Sequence, residues 1–138
     1  MDNNSIFIEK LRSSGLRPTK QRIKICKLLF DRTKTFHFTI NDLFKKLQKE
    51  KRKKISLATI YNTVHSFKKK GYLKEISVNK EKSYFDTNTS DHHHFLDMDT
   101  NELIDLKKED VDKIRIKKNL LGKKINSIEV LIKVENTN

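Results

Sequence analysis

One cysteine, Cys26, is all the thiol chemistry available to this 138-residue chain. A single thiol excludes a disulfide framework and any zinc site built on cysteine pairs. Cys26 lies in Ile23-Lys24-Ile25-Cys26-Lys27-Leu28-Leu29, an apolar helical pattern, and is therefore expected in the core. Long apolar runs are missing as well: no stretch approaches the roughly 20 residues a membrane-spanning helix needs. The opening Met1-Asp2-Asn3-Asn4-Ser5 has no basic region followed by an apolar run, so nothing marks it for secretion. A cytoplasmic protein without membrane attachment is the expectation.

Glycine occurs three times and proline once. Each glycine follows a helical pattern: Gly15 after residues 5–14, Gly71 after 56–70 and Gly122 after 109–121. All three read as helix C-terminal caps, where the left-handed conformation costs glycine nothing. Pro18 precedes Thr19, a suitable N-cap for a helix reaching about Asp31. Thr39 caps another, with Asp42 in a capping-box position and Ile40, Leu43, Phe44 and Leu47 as its apolar stripe. Four helices thus fill residues 5–70. After Gly71 the period changes, and residues 72–78 and 83–86 read as a two-stranded hairpin with a polar turn at 79–82. Beyond it, short strands are expected near 95–98 and 102–106, then the helix 109–121, then a strand over about 125–134. In that last strand Leu131 breaks the alternation, which suits either an interface or ordinary core packing.

Acid is scarce in one part of the chain only. Residues 1–86 hold 22 Lys+Arg against 8 Asp+Glu, a net +14, whereas residues 87–138 hold 9 against 10, a net −1. Biased base composition alone would not confine the excess to one part. The pattern suits a polyanion-binding module joined to a neutral sensing or assembly module. The expected fold class is α+β: an N-terminal winged helix-turn-helix over 1–86, a polar hinge at 87–91, and a small α/β dimerisation and sensing domain over 92–138.

The helix beginning at Ser56 has Leu57, Ile60, Val64 and Phe67 as its expected buried stripe. Ala58, Thr59, Tyr61, Asn62, His65 and Ser66 are left facing outward, where a solvated helix would carry Glu and Lys. Small and hydrogen-bonding groups permit close approach to a DNA groove, and Asn pairs bidentately with adenine. Packing against another protein surface is the alternative. Lys53, Lys54, Lys68, Lys69 and Lys70 flank the helix and are candidates for phosphate contacts.

Three of the five histidines are consecutive, in Asp91-His92-His93-His94-Phe95. In a strand, His92 and His94 share one face and His93 takes the other. Imidazole binds transition metals and haem iron; a polar turn that repeats one residue is the plainer reading.

Four segments together resemble the ferric uptake regulator (Fur) superfamily, and within it the Irr (iron response regulator) branch: Gly15 to Arg22, Ser56 to Thr63, Lys82 to Asn88 and His92 to Phe95. The resemblance covers about residues 10–134. It implies a homodimeric, metal- or haem-responsive transcription regulator, either repressor or dual regulator, that binds a double-stranded DNA operator and controls iron or haem genes. Arg17 matches a basic residue that approaches the minor groove, and Tyr61 matches a base-contacting tyrosine. Asn62 replaces an arginine common in Fur itself. The implied metal ligands are His37, Asp86, His92, His94 and Asp105, a set that suits Fe(II), Mn(II) or Zn(II). An ion held by both domains would fix their mutual orientation. His92, His93 and His94 are the implied haem-binding residues.

The departures from the family pattern carry weight too. Asp97 and Thr100 stand where many relatives have a cysteine pair, so a Cys-ligated structural zinc is excluded. A further metal site would use His93 and Asp112, but Ile128 stands where its remaining histidine belongs. Cys26 is followed by Lys27, so a Cys-Pro haem element is missing. A Fur-like regulator activated directly by Fe(II), Mn(II) or Zn(II) is the second reading. A hydrolase using His92, His94 and Asp86 is the third, and it lacks a separate general base; the chain is not expected to be an enzyme.

Overall fold

The structure is a computed structural model that describes residues 4–49 and 54–138. It divides into two compact units, one ending at Thr89 and the other running Ser90–Asn138. Helices and two small three-stranded sheets make it an α+β protein.

In the first unit three of the four described helices start where a side chain satisfies an orphaned backbone amide. The first, α1, spans Ser5–Ser13. Thr19 accepts from the Arg22 amide to begin α2, Lys20–Phe30. Thr39 and Asp42 form a reciprocal capping box at the start of α3, Ile40–Leu47. Ser56 accepts from the Thr59 amide to begin α4, Leu57–Lys70. Gly71 ends α4 at φ +94°, with the Gly71 and Tyr72 amides both returning to the Phe67 carbonyl. Only glycine takes that conformation without strain.

The stripe of α4 differs from expectation at one position. Ile60, Val64 and Phe67 are buried, but Leu57 is 51% exposed, and the apolar residue buried at this end of the helix is Ile55, just before it. Thr63 is fully buried instead. Its hydroxyl donates to the Thr59 carbonyl at 2.7 Å, which removes the desolvation cost of the polar group. The core that α4 closes includes Leu11, Ile25, Cys26, Leu29 and Leu43, all essentially inaccessible. Each such aliphatic side chain contributes about 1.5–3 kcal/mol relative to exposure.

A sheet of order β1-β3-β2 completes the unit. β2, Lys74–Ser77, and β3, Ser83–Asp86, form the antiparallel hairpin, with Asn79 Oδ1 accepting from the Glu81 and Lys82 amides in its turn. The third strand, β1, is His37–Phe38 and pairs antiparallel with β3. The sequence pattern did not anticipate it, since two residues are too few to show a period.

The second unit holds β4, His93–Asp97, antiparallel to β5, Leu103–Leu106, and parallel to β6, Leu131–Val134. Asp97 Oδ1 accepts from the Asp99 and Thr100 amides, closing a hydrogen-bonded turn after β4. The helix expected over 109–121 is absent: only a 3-10 turn, Lys108–Asp110, forms. Lys113, Arg115, Lys117 and Lys118 follow with no acid among them, so like charges repel at helical spacings. Ile116, Leu120 and Leu121 are exposed, leaving no buried face to offset the cost of helix nucleation. Gly122 is therefore no helix cap. It takes φ +74° inside a turn in which the Lys123 amide donates to the Leu120 carbonyl. The last strand is also shorter than expected, beginning at Leu131, which is partly buried.

Among the described residues, no helix is long and apolar enough to cross a membrane.

Candidate metal centre and nucleic-acid surface

Two cross-strand His–Asp pairs define the candidate ligands. In the first unit His37 stands opposite Asp86 in the β1–β3 ladder. Asp86 is 1% exposed, and its Oδ1 accepts from the Asn88 amide at 2.8 Å. The segment before His37 is anchored by Thr87, whose hydroxyl oxygen accepts from the Phe36 amide, while the Thr87 amide donates to the Phe36 carbonyl. These bonds hold the two strands in one register.

In the second unit His94 stands opposite Asp105 in the β4–β5 ladder. His94 Nε2 lies 3.1 Å from Asp105 Oδ1, and His92 Nε2 lies 3.4 Å from the same oxygen. The two imidazoles are 4.3 Å apart between centroids, His92 lying just before β4 and His94 within it. His92 Nδ1 is 2.7 Å from the Ser90 carbonyl oxygen, which can only accept, so the proton of a neutral His92 ring sits on Nδ1. Its Nε2 lone pair then points towards Asp105, the tautomer a metal-binding histidine needs.

His93 is arranged differently. Its Nδ1 accepts the Val130 amide at 3.0 Å, so in the neutral ring the proton is on Nε2 and no ring lone pair is spare. His93, Asp112 and Ile128 all line one cavity of about 420 Å³, but Ile128 contributes hydrocarbon where a third donor would be required.

The nucleic-acid candidates lie in the first unit. Ala58, Tyr61 and Asn62 are exposed on α4, and Thr59, His65 and Ser66 are half-buried. Arg17 is exposed in the loop before α2, where its carbonyl accepts from Arg22 Nη1 at 3.1 Å. Lys54, Lys69 and Lys70 are exposed. Lys68 is engaged by Glu75 of β2, whose carboxyl is held below its ordinary range chiefly by that hydrogen bond. Lys53 lies outside the described residues. Sequence reasoning passed over Glu75, whose only signal was its position in the hairpin strand facing the C-terminal turn of α4.

The buried Cys26 thiol, close to the Phe7 carbonyl, is pushed up to about 11 by desolvation. A thiol so buried and so weakly acidic is a packing group, not a nucleophile.

The first unit is cationic and largely helical, and each unit pairs an imidazole with a carboxylate across two strands. The model of the ferric uptake regulator family matches residues 13–133. The peroxide operon regulator of Bacillus subtilis (strain 168) is 32% identical over 107 residues, 78% of this chain and 72% of that protein. The ferric uptake regulation protein of Pseudomonas fluorescens is 29% identical over 109 residues, covering 78% and 87%. In three dimensions the chain is similar to the ferric uptake regulator of Pseudomonas aeruginosa solved with manganese, at TM-score 0.66 and 22% identity, over 96% of this chain and 99% of that one. The chain belongs to the ferric uptake regulator family. Proteins of this family regulate transcription as DNA-binding homodimers and are not enzymes.

Proposed function

We infer that this chain is a homodimeric repressor or dual regulator whose affinity for a double-stranded operator depends on a divalent ion, Fe(II), Mn(II) or Zn(II), held by His37, Asp86, His92, His94 and Asp105. The observation that carries the reading is the convergence of His92 Nε2 and His94 Nε2 on one Asp105 oxygen, with His92 in the ligating tautomer. Mixed imidazole and carboxylate donors suit these borderline ions and lack the thiolates a softer ion would prefer. Because the five donors come from both sides of Thr89, a single ion taking all of them would tie the units together. In a dimer that tie would set the separation of the two α4 helices, which is what a palindromic operator measures. In this reading the first unit is a winged helix, with α4 in the major groove and the β2–β3 hairpin as the wing, and Ala58, Thr59, Tyr61 and Asn62 facing the bases. Arg17 would reach the minor groove. The second unit carries the dimer contacts.

Haem at His92, His93 and His94 rests on the Irr resemblance alone, whereas the relatives named above are a peroxide operon regulator and a Fur protein. The hydrogen bond on His93 Nδ1 also favours the ion. A peroxide response through the same ion is a second reading, favoured by the Bacillus relative.

The test is operator binding by anaerobically purified protein with Fe(II), Mn(II), Zn(II) or haem added in turn. Metal-dependent binding that His92→Ala and His94→Ala both abolish supports the ion. Binding that responds to haem alone, or that ignores both substitutions, sinks it. Exposing the Fe(II)- and Mn(II)-loaded forms to peroxide addresses the second reading: loss of binding confined to the Fe(II) form supports it, and equal behaviour removes it.

A further inference from the structure

Tyr61 and His65 sit four residues apart on α4, the spacing that brings two side chains onto one helix face. Their ring centroids are 4.1 Å apart with the planes inclined at 38°. His65 is half-buried, and its ring also meets Phe85 of β3 edge-on, at 5.8 Å and 81°. Phe85 is buried, stacks on Phe38 at 5.8 Å, and pairs in register with Phe38 of β1 on one side and Glu75 of β2 on the other. The imidazole is therefore wedged between an exposed tyrosine and the aromatic floor of the sheet. Tyr61, 54% exposed, would without that wedge exchange between the χ1 wells open to a helical residue.

We propose that His65 is a positioning residue: it holds the Tyr61 ring in the orientation that meets base edges and ties that ring to the β1–β3 strand pair. The inference rests on the reading of α4 as the base-contacting helix and deepens it. His65 itself need not touch DNA. The rung next to Phe38–Phe85 in the same ladder is His37–Asp86. A change in how β1 pairs with β3 is thus transmitted by Phe85 to His65 and by His65 to Tyr61, through contacts that lie wholly within the first unit.

The experiment is a double-mutant cycle with Tyr61→Ala, His65→Ala and both together, with His65→Phe as a fourth variant that keeps a flat ring in the wedge. The probe is a duplex selected from a randomised pool by the metal-loaded wild-type protein, compared with all its single-base variants and a scrambled duplex at one salt concentration. Freeing a side chain that must be ordered on binding predicts roughly a three- to tenfold weaker Kd for His65→Ala. The loss should fall on the same base positions that Tyr61→Ala affects. On the Tyr61→Ala background His65→Ala should add less than about twofold, because coupled residues are not additive. His65→Phe should restore most of the affinity, which also keeps the test decisive if His65→Ala melts early. Independent, multiplying effects overturn the proposal, as does equal weakening of the selected and scrambled duplexes, the signature of a direct backbone contact. A wild-type protein that selects no sequence removes the α4 reading and this inference with it. One that selects a sequence yet ignores His65 removes this inference alone.

Discussion

His94 faces Asp105 across β4 and β5 with 3.1 Å between Nε2 and Oδ1, and His37 faces Asp86 across β1 and β3 in the same antiparallel arrangement. Cross-strand neighbours of this kind have Cβ atoms about 4.5–5.5 Å apart, near enough for both side chains to take one ion. Each unit therefore presents an imidazole beside a carboxylate on rigid backbone. Asp105→Ala is expected to weaken Mn(II) binding at least about tenfold, the lower range of ligand-support effects. His93→Ala, by contrast, should leave it within about twofold, because His93 Nδ1 is already bonded to the Val130 amide. Isothermal titration of both variants checks the contrast, and equal losses would contradict the assignment of donors.

The capping box at Thr39 orients the helix that follows the His37 strand. Thr39→Ala removes the acceptor for the Asp42 amide and exposes the first turn of α3. A loss of about 1 kcal/mol is expected, as for other N-cap deletions. Urea unfolding followed by circular dichroism measures it, and a change below a few tenths would mean that solvent replaces the cap at no cost.

Caps of this kind were the most legible feature of the chain. Thr19, Thr39 and Gly71 mark element ends by local hydrogen bonding, which depends on a few neighbouring residues only. The pairing of His92 with His94 was legible from their two-residue spacing, although β4 itself begins only at His93. Three features were not. β1 is too short to carry a period, Leu57 fits a helical stripe but Ile55 before the helix is buried in its stead, and the segment after Asp110 has apolar residues at helical spacing that stay exposed. His37 and Asp86 are likewise distant in sequence. Nothing local predicts their meeting in one ladder; the family resemblance alone joined them into one ligand set.

Glu75 gives a pH-dependent term in the stability of the first unit. Its carboxyl is held below the ordinary range by the Lys68 hydrogen bond, with Ser83 helping against partial burial. The stabilisation is thus present above the ordinary carboxylate range and disappears as pH falls through the depressed folded-state value. Lys68 is 44% exposed, so solvent screening limits the pair to about 0.5 kcal/mol. Glu75→Gln should be less stable than wild type by that amount at neutral pH and indistinguishable from it in strong acid. Thermal melts of the two proteins across that range test the convergence; a constant gap would assign the effect to packing.

Cys26 acts in the opposite direction. Its folded-state thiol is raised from 9.0 to about 11 by burial, so on unfolding at alkaline pH the freed thiol ionises while the folded one stays protonated. Stability from this group is complete below about pH 9 and is lost as pH rises towards 11. Cys26→Ala should cost about 1 kcal/mol at neutral pH by removing a buried sulfur, since a small core truncation leaves a small cavity. That penalty should shrink above pH 9, because the variant has no thiol to ionise. Urea midpoints of wild type and Cys26→Ala at neutral pH and at pH 10 measure the difference. A penalty unchanged between the two conditions would show that the thiol is not protected by burial.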